Sequence, residues 1–411
     1  MTLRTDSDRL WKSLMDLAEI GATEKGGVCR LALTDLDRQG RDLFVSWCEA
    51  EGMTVRVDVI GNIFARRAGT DPSRAAVATG SHIDTQPTGG KFDGNFGVLA
   101  GLEVVRTLNA NGMETAAPIE VIAWTNEEGS RFVPVMMGSG VFSGAFSAET
   151  AHKAVDLDGA TVGAELQRIG YAGAHPAGEV PGGMFAAYFE AHIEQGPVLE
   201  AHGVTIGVVP GALGQRWFDV TVTGQEAHAG PTPMALRHDA LLAGSRMVVL
   251  VNEIALSQAP HGRGTVGFMK VLPNSRNTIP GTVKFSVDFR NLDDSGLEVM
   301  DAALREQCAV IAGAHGASVL IEQVVYFPPC HFDSACVAAV RSAAETLGFS
   351  HMEVVSGAGH DAVYVADRAP AAMIFVPCKD GISHNEIEFA EQSDLSAGAD
   401  VLLHAILARA G

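Results

Sequence analysis

Two apolar runs constrain this chain more than any other feature. In RAAVATGSHID a strand-like run, residues 75–79, ends in a polar loop. In PIEVIAWTNEEGSRF a second run, residues 119–124, ends in Asn126, Glu127 and Glu128. Between them VLAGLEVVRTLNANG, residues 98–112, has helical periodicity and stops at Gly112. Strand, loop, helix, strand is an α/β order, and open α/β sheets carry their sites beyond the carboxyl ends of the strands. The polar loops stand at those ends.

The flanking segments extend the pattern. Residues 7–20 have apolar positions at helical spacing, and TVRVDVIGNIFAR, residues 54–66, alternates around Gly61 and Asn62 like a hairpin. The middle differs. QRWFDVTVTG alternates, residues 235–255 form a long helix, and two strand-like runs, a helix at about 294–314 and a strand near 318–326 follow. That β-α-β-β-α-β order is ferredoxin-like. A helix at 332–347, a strand at 371–376 and a helix at 391–409 close the chain. The expected architecture is therefore α/β with two domains. Residues 1–211 and 329–411 form one, and an α+β domain, 212–328, is inserted. Hinges are expected in Gly207–Gly214 and near Pro328 and Pro329.

Composition excludes several partners. The 411 residues carry 49 acidic against 29 basic side chains, a net charge of −20, and no basic patch compensates it. Nucleic acid is disfavoured. The start lacks a signal-peptide core, and no run of about 18 uncharged apolar residues suggests a membrane span. Six cysteines without CxxC spacing read as reduced, cytoplasmic thiols.

Chemistry concentrates in four clusters: GSHIDTQPTGGKFDG with His82, Asp84 and Asp93; NEEG with Glu127 and Glu128; EAHIEQGP with His192, Glu194 and Gln195; KDGISHNEIE with His384. Taken singly each has an ordinary reading. A histidine and an aspartate two apart usually make a polar loop, paired glutamates a solvated strand end, and a lone histidine a hydrogen-bonding group. Together, imidazole and carboxylate without thiolate suit zinc, manganese, cobalt or nickel. Two ions about 3.5–4 Å apart need a bridging anion, for which Asp93 is the natural candidate.

GSHIDTQPTGGKFDG, NEEGSRF, HIEQGPVLE, GQEAHAGPTPM and GISHNE resemble, in this order, the M20 metallopeptidase superfamily. They are most similar to its amidase branch: N-carbamoyl-L-amino-acid hydrolases, β-ureidopropionases and allantoate amidohydrolases. The resemblance implies two divalent metals per subunit. His82, Asp93 and His192 would hold one; Asp93, Glu128 and His384 the other. Peptidase members have an acidic residue where His192 stands. Asp84 would orient the His82 ring, and Glu127 would be the general base.

The same resemblance assigns the substrate contacts. His228 would stabilise the oxyanion, Asn277, Arg290 and Gly359 would contact the substrate carboxylate, and Gln195 the ureido group. His360 and Asp361 would support the site from behind. On residues alone, His228 is an ordinary loop histidine, Asn277 a turn residue and Arg290 a strand-end arginine. The inserted domain would form a homodimer, with the His228 and Asn277 loops reaching the partner's site. The expected reaction is hydrolysis of the ureido C–N bond of an N-carbamoyl-L-amino acid or N-carbamoyl-β-alanine, giving amino acid, carbon dioxide and ammonia. Allantoate is the alternative substrate, and an aminoacylase-type amide hydrolase a more distant one.

Overall fold

The computed structural model describes residues 2–411. The chain folds as two units, Met1–Gly211 with His331–Gly411, and Ala212–Cys330. Gly207, expected in a hinge, lies instead within the strand Ile206–Val209, where an added Cβ would stand 2.9 Å from that of Phe375.

The larger unit holds an eight-stranded sheet. Its order is Thr54–Val57, Ile63–Arg67, Ile119–Trp124, Val77–His82, Ala187–Ile193, Ala371–Val376, Ile206–Val209 and His351–Glu353. Four central strands, from Ile119–Trp124 to Ala371–Val376, run parallel, and every residue in them is buried. Burial on both faces explains their apolar runs, because helices cover parallel sheets on each side. The helices Asn95–Ala110 and Gln392–Ala410 contribute buried residues throughout their length.

The strand expected at 75–79 is displaced: it runs Val77–His82, so His82 is its last residue rather than a loop residue. Among the elements with no counterpart in the sequence reading are the helix Asp35–Ala50, the strand Ala187–Ile193 and the short edge strand His351–Glu353. The helix Asp35–Ala50 begins at an N-cap, Thr34, whose hydroxyl accepts the Asp37 N–H.

The smaller unit is an antiparallel sheet. Gly214–Thr223 lies between Thr282–Asn291 and Ser318–Phe327, and Arg263–Thr265 and Met269–Leu272 share the outer edge of Thr282–Asn291. The run TVGFMKVLPNS is thus two strands rather than one. The helices Ala240–Ser257 and Asp294–Ala314 bury Met247, Leu250, Leu297, Met300 and Leu304 with Phe218, Val220, Phe285 and Val287 of the sheet. Ala240–Ser257 is long and apolar enough by composition to cross a membrane. Its buried side is accounted for by this core.

Candidate metal centre

The four parallel strands deliver the four clusters. Val77–His82 ends in His82, Ile119–Trp124 leads into Asn126–Glu128, Ala187–Ile193 carries His192, and Ala371–Val376 leads towards His384. All leave the sheet at carboxyl ends of neighbouring strands, so residues up to 302 positions apart converge. Five of the seven non-glycine residues with positive φ among the described residues lie in these loops: Asn126, Met136, Gln195, Asp380 and His384. Such backbone is uncommon outside glycine and clusters at functional sites.

Asp93 stands between two sets of donors. Its Oδ1 is 3.2 Å from His192 Nε2 and 3.6 Å from His82 Nε2. Its Oδ2 is 3.5 Å from His384 Nε2, which is 3.4 Å from Glu128 Oε2. Donor atoms tetrahedrally bound to one zinc ion, each at about 2.0–2.2 Å, would lie roughly 3.4 Å apart. The two triplets, His82–Asp93–His192 and Asp93–Glu128–His384, therefore have the spacing a cation needs.

The imidazoles are set for ligation. His82 Nδ1 lies 2.9 Å from the Asp84 carbonyl and His192 Nδ1 2.9 Å from the Ile193 carbonyl. A carbonyl only accepts, so both rings carry a proton on Nδ1 and present Nε2 to the donor set, the atom a cation would take. Asp84 acts on His82 through its main chain. Its carboxylate, expected to orient that ring, instead accepts the N–H groups of Glu127 and Glu128, each at 3.3 Å.

The electrostatics call for a cation. Burial pushes the Glu127 carboxyl well above the usual carboxylate range; His82 opposes this, and the charges of Asp361, Glu128 and Asp84 add to it. Burial and the charge of Asp93 raise Glu128 to about 8. Burial also acts upward on Asp93, but hydrogen bonds and charge from His192 and His82 hold it well below the usual range. Among the described residues, the ion-pair partners of these three carboxylates are histidines, not lysine or arginine. Bound divalent ions would reverse the upward shifts. The residues present fit two such ions.

Glu127 belongs to neither triplet, although its Oε2 is 3.5 Å from His82 Nε2. Were ions held by the two triplets, this carboxylate would stand beside them without being spent as a ligand. Gln195 donates from Nε2 to Asp93 Oδ2 at 2.8 Å, while its Oε1 is buried with no hydrogen-bond partner. A third triplet, Glu190, His192 and His360, shares His192 with the first. Burial, then the charge of His192, lowers His360 well below the usual imidazole range, so it is neutral. Sequence reasoning misses Glu190; its signal is an acid two residues before His192, on the same face of the strand Ala187–Ile193.

Gly359 meets Met136 rather than open space: an added Cβ would lie 2.8 Å from the Met136 Cε. The other expected contacts belong to the smaller unit. His228 is exposed and registers with Thr278, next to Asn277, whose carbonyl accepts the Ala229 N–H at 2.8 Å. Arg290 lies elsewhere, with its guanidinium on the Asp288 carboxylate through Nε and Nη2. The strand Thr282–Asn291 separates them. Arg290 is near its carboxyl end, about 26 Å by strand rise from Thr282 at its start, and the His228–Asn277 pair lies beyond that start.

A shared aspartate between two imidazole–carboxylate sets, with a spare glutamate at hand, is the apparatus of a metal-dependent hydrolase. The chain belongs to peptidase family M20/M25/M40, whose signature matches residues 78–408. It is 50% identical over 404 residues to an N-carbamoyl-L-amino-acid amidohydrolase of Rhizobium meliloti, covering 98% of this chain and 96% of that protein. A protein of the same description from Geobacillus stearothermophilus is 37% identical over 400 residues, 97% of each chain. Among solved structures, an amidase of the hydantoinase/carbamoylase family from Burkholderia multivorans superposes with a TM-score of 0.97 at 60% identity, covering 100% of this chain and 99% of that one.

Proposed function

We propose that this amidohydrolase cleaves the ureido C–N bond of N-carbamoyl-L-amino acids, using two divalent ions held by His82, Asp93 and His192 and by Asp93, Glu128 and His384. The observation that carries the reading is Asp93, whose two oxygens face separate donor sets while Glu127 stands outside both. The names of relatives at 50% and 37% identity favour this substrate over allantoate.

Ions held there would supply polarisation of the carbonyl and ease loss of a proton from water near neutral pH, which makes it a nucleophile. Glu127 takes the proton of that water and delivers it to the departing nitrogen of the amino acid. The C–N bond breaks, and the carbamate left behind decomposes to carbon dioxide and ammonia. The buried, unpaired Gln195 Oε1 is matched to the carbamoyl NH2, which offers two donors. Arg290, released from Asp288, would clasp the substrate carboxylate in a bidentate pair. His228 would donate to the oxyanion. Arg290 and the His228–Asn277 pair lie towards opposite ends of the strand Thr282–Asn291, whose rise from Thr282 to Arg290 is about 26 Å, so one small substrate does not reach both in a single chain. A homodimer resolves this if the partner subunit supplies the His228 and Asn277 loops. Buried thiols at Cys48, Cys308, Cys336 and Cys378 suit a reducing, cytoplasmic setting.

The test is ammonia release from manganese- or zinc-loaded protein offered N-carbamoyl-L-amino acids, N-carbamoyl-β-alanine, allantoate and N-acyl amino acids. Turnover confined to the carbamoyl compounds, lost on chelation and restored by metal, is expected. Preference for allantoate, or full activity after exhaustive chelation, would overturn the reading.

A further inference from the structure

Glu388 follows His384 by four residues, yet its carboxylate is committed to the loop of Asp93. Its Oε1 accepts the main-chain N–H groups of Phe92 at 3.0 Å and Asp93 at 3.1 Å. Its Oε2 lies 2.9 Å from the Ser383 hydroxyl, which is itself 2.7 Å from Asp93 Oδ2. Glu388 is 4% exposed, and the space around it is closed: a Cβ on Gly90 would lie 2.1 Å from its carboxyl carbon. A carboxylate so deeply buried persists only where hydrogen bonds replace water. Two main-chain amides do this here, joined by the Ser383 hydroxyl, whose single proton Glu388 shares with Asp93.

These contacts make one device. The loop bearing Asp93 and the turn bearing His384 come from opposite ends of the chain, and the Asp93–His384 distance decides whether the second donor set can close on an ion. Glu388 joins both: through two amides to the backbone of Asp93, and through Ser383 to its carboxylate. Ser383 is also the chain neighbour of His384, whose φ of +54° marks a turn held by its surroundings.

We propose that Glu388 is a positioning residue, which with Ser383 locks the bridging carboxylate Asp93 to the His384 turn and so sets the affinity of the second metal site. The assignment rests on the dinuclear reading above. Residues that orient metal ligands typically change affinity by about 10–100-fold when removed.

The experiment is titration of the full-length apoprotein with Mn2+ against a competing chelator, for wild type, Glu388→Ala, Glu388→Gln and Ser383→Ala, with kcat and KM on an N-carbamoyl-L-amino acid. Wild type should bind two ions. Glu388→Ala should weaken the second ion about 10–100-fold and the first, which shares Asp93 but not the His384 turn, by less. Its kcat should fall with little change in KM, since Glu388 is not assigned to touch substrate. Glu388→Gln keeps an oxygen for the two amides and should recover most of the affinity. Two ions bound to Glu388→Ala at wild-type affinity would overturn the assignment. Should Glu388→Ala lack a cooperative melt, Ser383→Ala decides, because it leaves the amide contacts in place: unchanged second-site affinity there overturns the link. Wild-type protein binding fewer than two ions overturns the dinuclear reading, and this assignment with it.

Discussion

The Asp84 carboxylate holds Glu127 by its backbone: Oδ1 accepts the Glu127 N–H and Oδ2 the adjoining Glu128 N–H, both at 3.3 Å. One residue thereby fixes the paired glutamates while their side chains diverge, Glu128 to His384 and Glu127 to the neighbourhood of His82. Glu127→Gln preserves shape and removes the proton acceptor. It should bind metal as wild type does, measured by metal analysis, and lose about 10²–10⁴-fold in kcat. Full activity in that variant would remove Glu127 from the role of base.

Gly94 admits the His82 ring. Its φ is +66°, and an added Cβ would lie 2.3 Å from the ring Cε1. Gly94→Ala combines a left-handed alanine with overpacking, together about 2–4 kcal/mol. The ring can retreat only by leaving the first donor set. Lower Tm together with weaker metal binding is the expected result; a Tm loss with metal affinity unchanged would show that the ring does not serve the ion.

Chelated protein should lose stability as pH rises. Folded Glu128 titrates at about 8 against an ordinary 4.5, so between those values the folded state retains a proton that the unfolded chain has released. Its contribution is full below about 4.5 and is lost as pH climbs towards 8. Tm of the apoprotein should therefore decline from pH 5 to pH 8, Glu128→Gln should flatten part of that slope, and divalent metal should restore Tm more at pH 8 than at pH 5.

Arg290 and His228 offer a complementation test. If one site takes Arg290 from its own subunit and His228 from the partner, Arg290→Ala and His228→Ala homodimers are both impaired. Reassociating them in equal amounts gives mixed dimers with one intact site, recovering about a quarter of wild-type turnover. No recovery after verified subunit exchange would place both residues' work in one chain.

Much of the site is legible in the residues. His82, Asp93, Glu128, His192 and His384 are each marked by sitting in or beside a glycine-containing polar loop, and the structure brings them together. The central strands are buried throughout yet carry other polar residues, Thr79, Ser81 and Glu120 among them, so the acid Glu190 passes as one more strand residue. Spacing places Asp84 in the right neighbourhood but on the wrong atoms, because it does not say whether a carbonyl or a carboxylate will face a ring. The helix Asp35–Ala50 escapes for a related reason: six of its sixteen residues are charged, and that density masks the buried stripe of Phe44 and Cys48.

Order and residue type by themselves determined the α/β class, the inserted antiparallel segment and the chemistry of the ligands, since periodicity and donor type are local properties. Only the tertiary structure decided which oxygen of Asp93 faces which imidazole, that Glu388 grips the Asp93 loop, and that His228 pairs with Thr278 beyond the start of the strand whose far end carries Arg290. Those relations depend on strand order and register between segments hundreds of residues apart, and no local interaction encodes them.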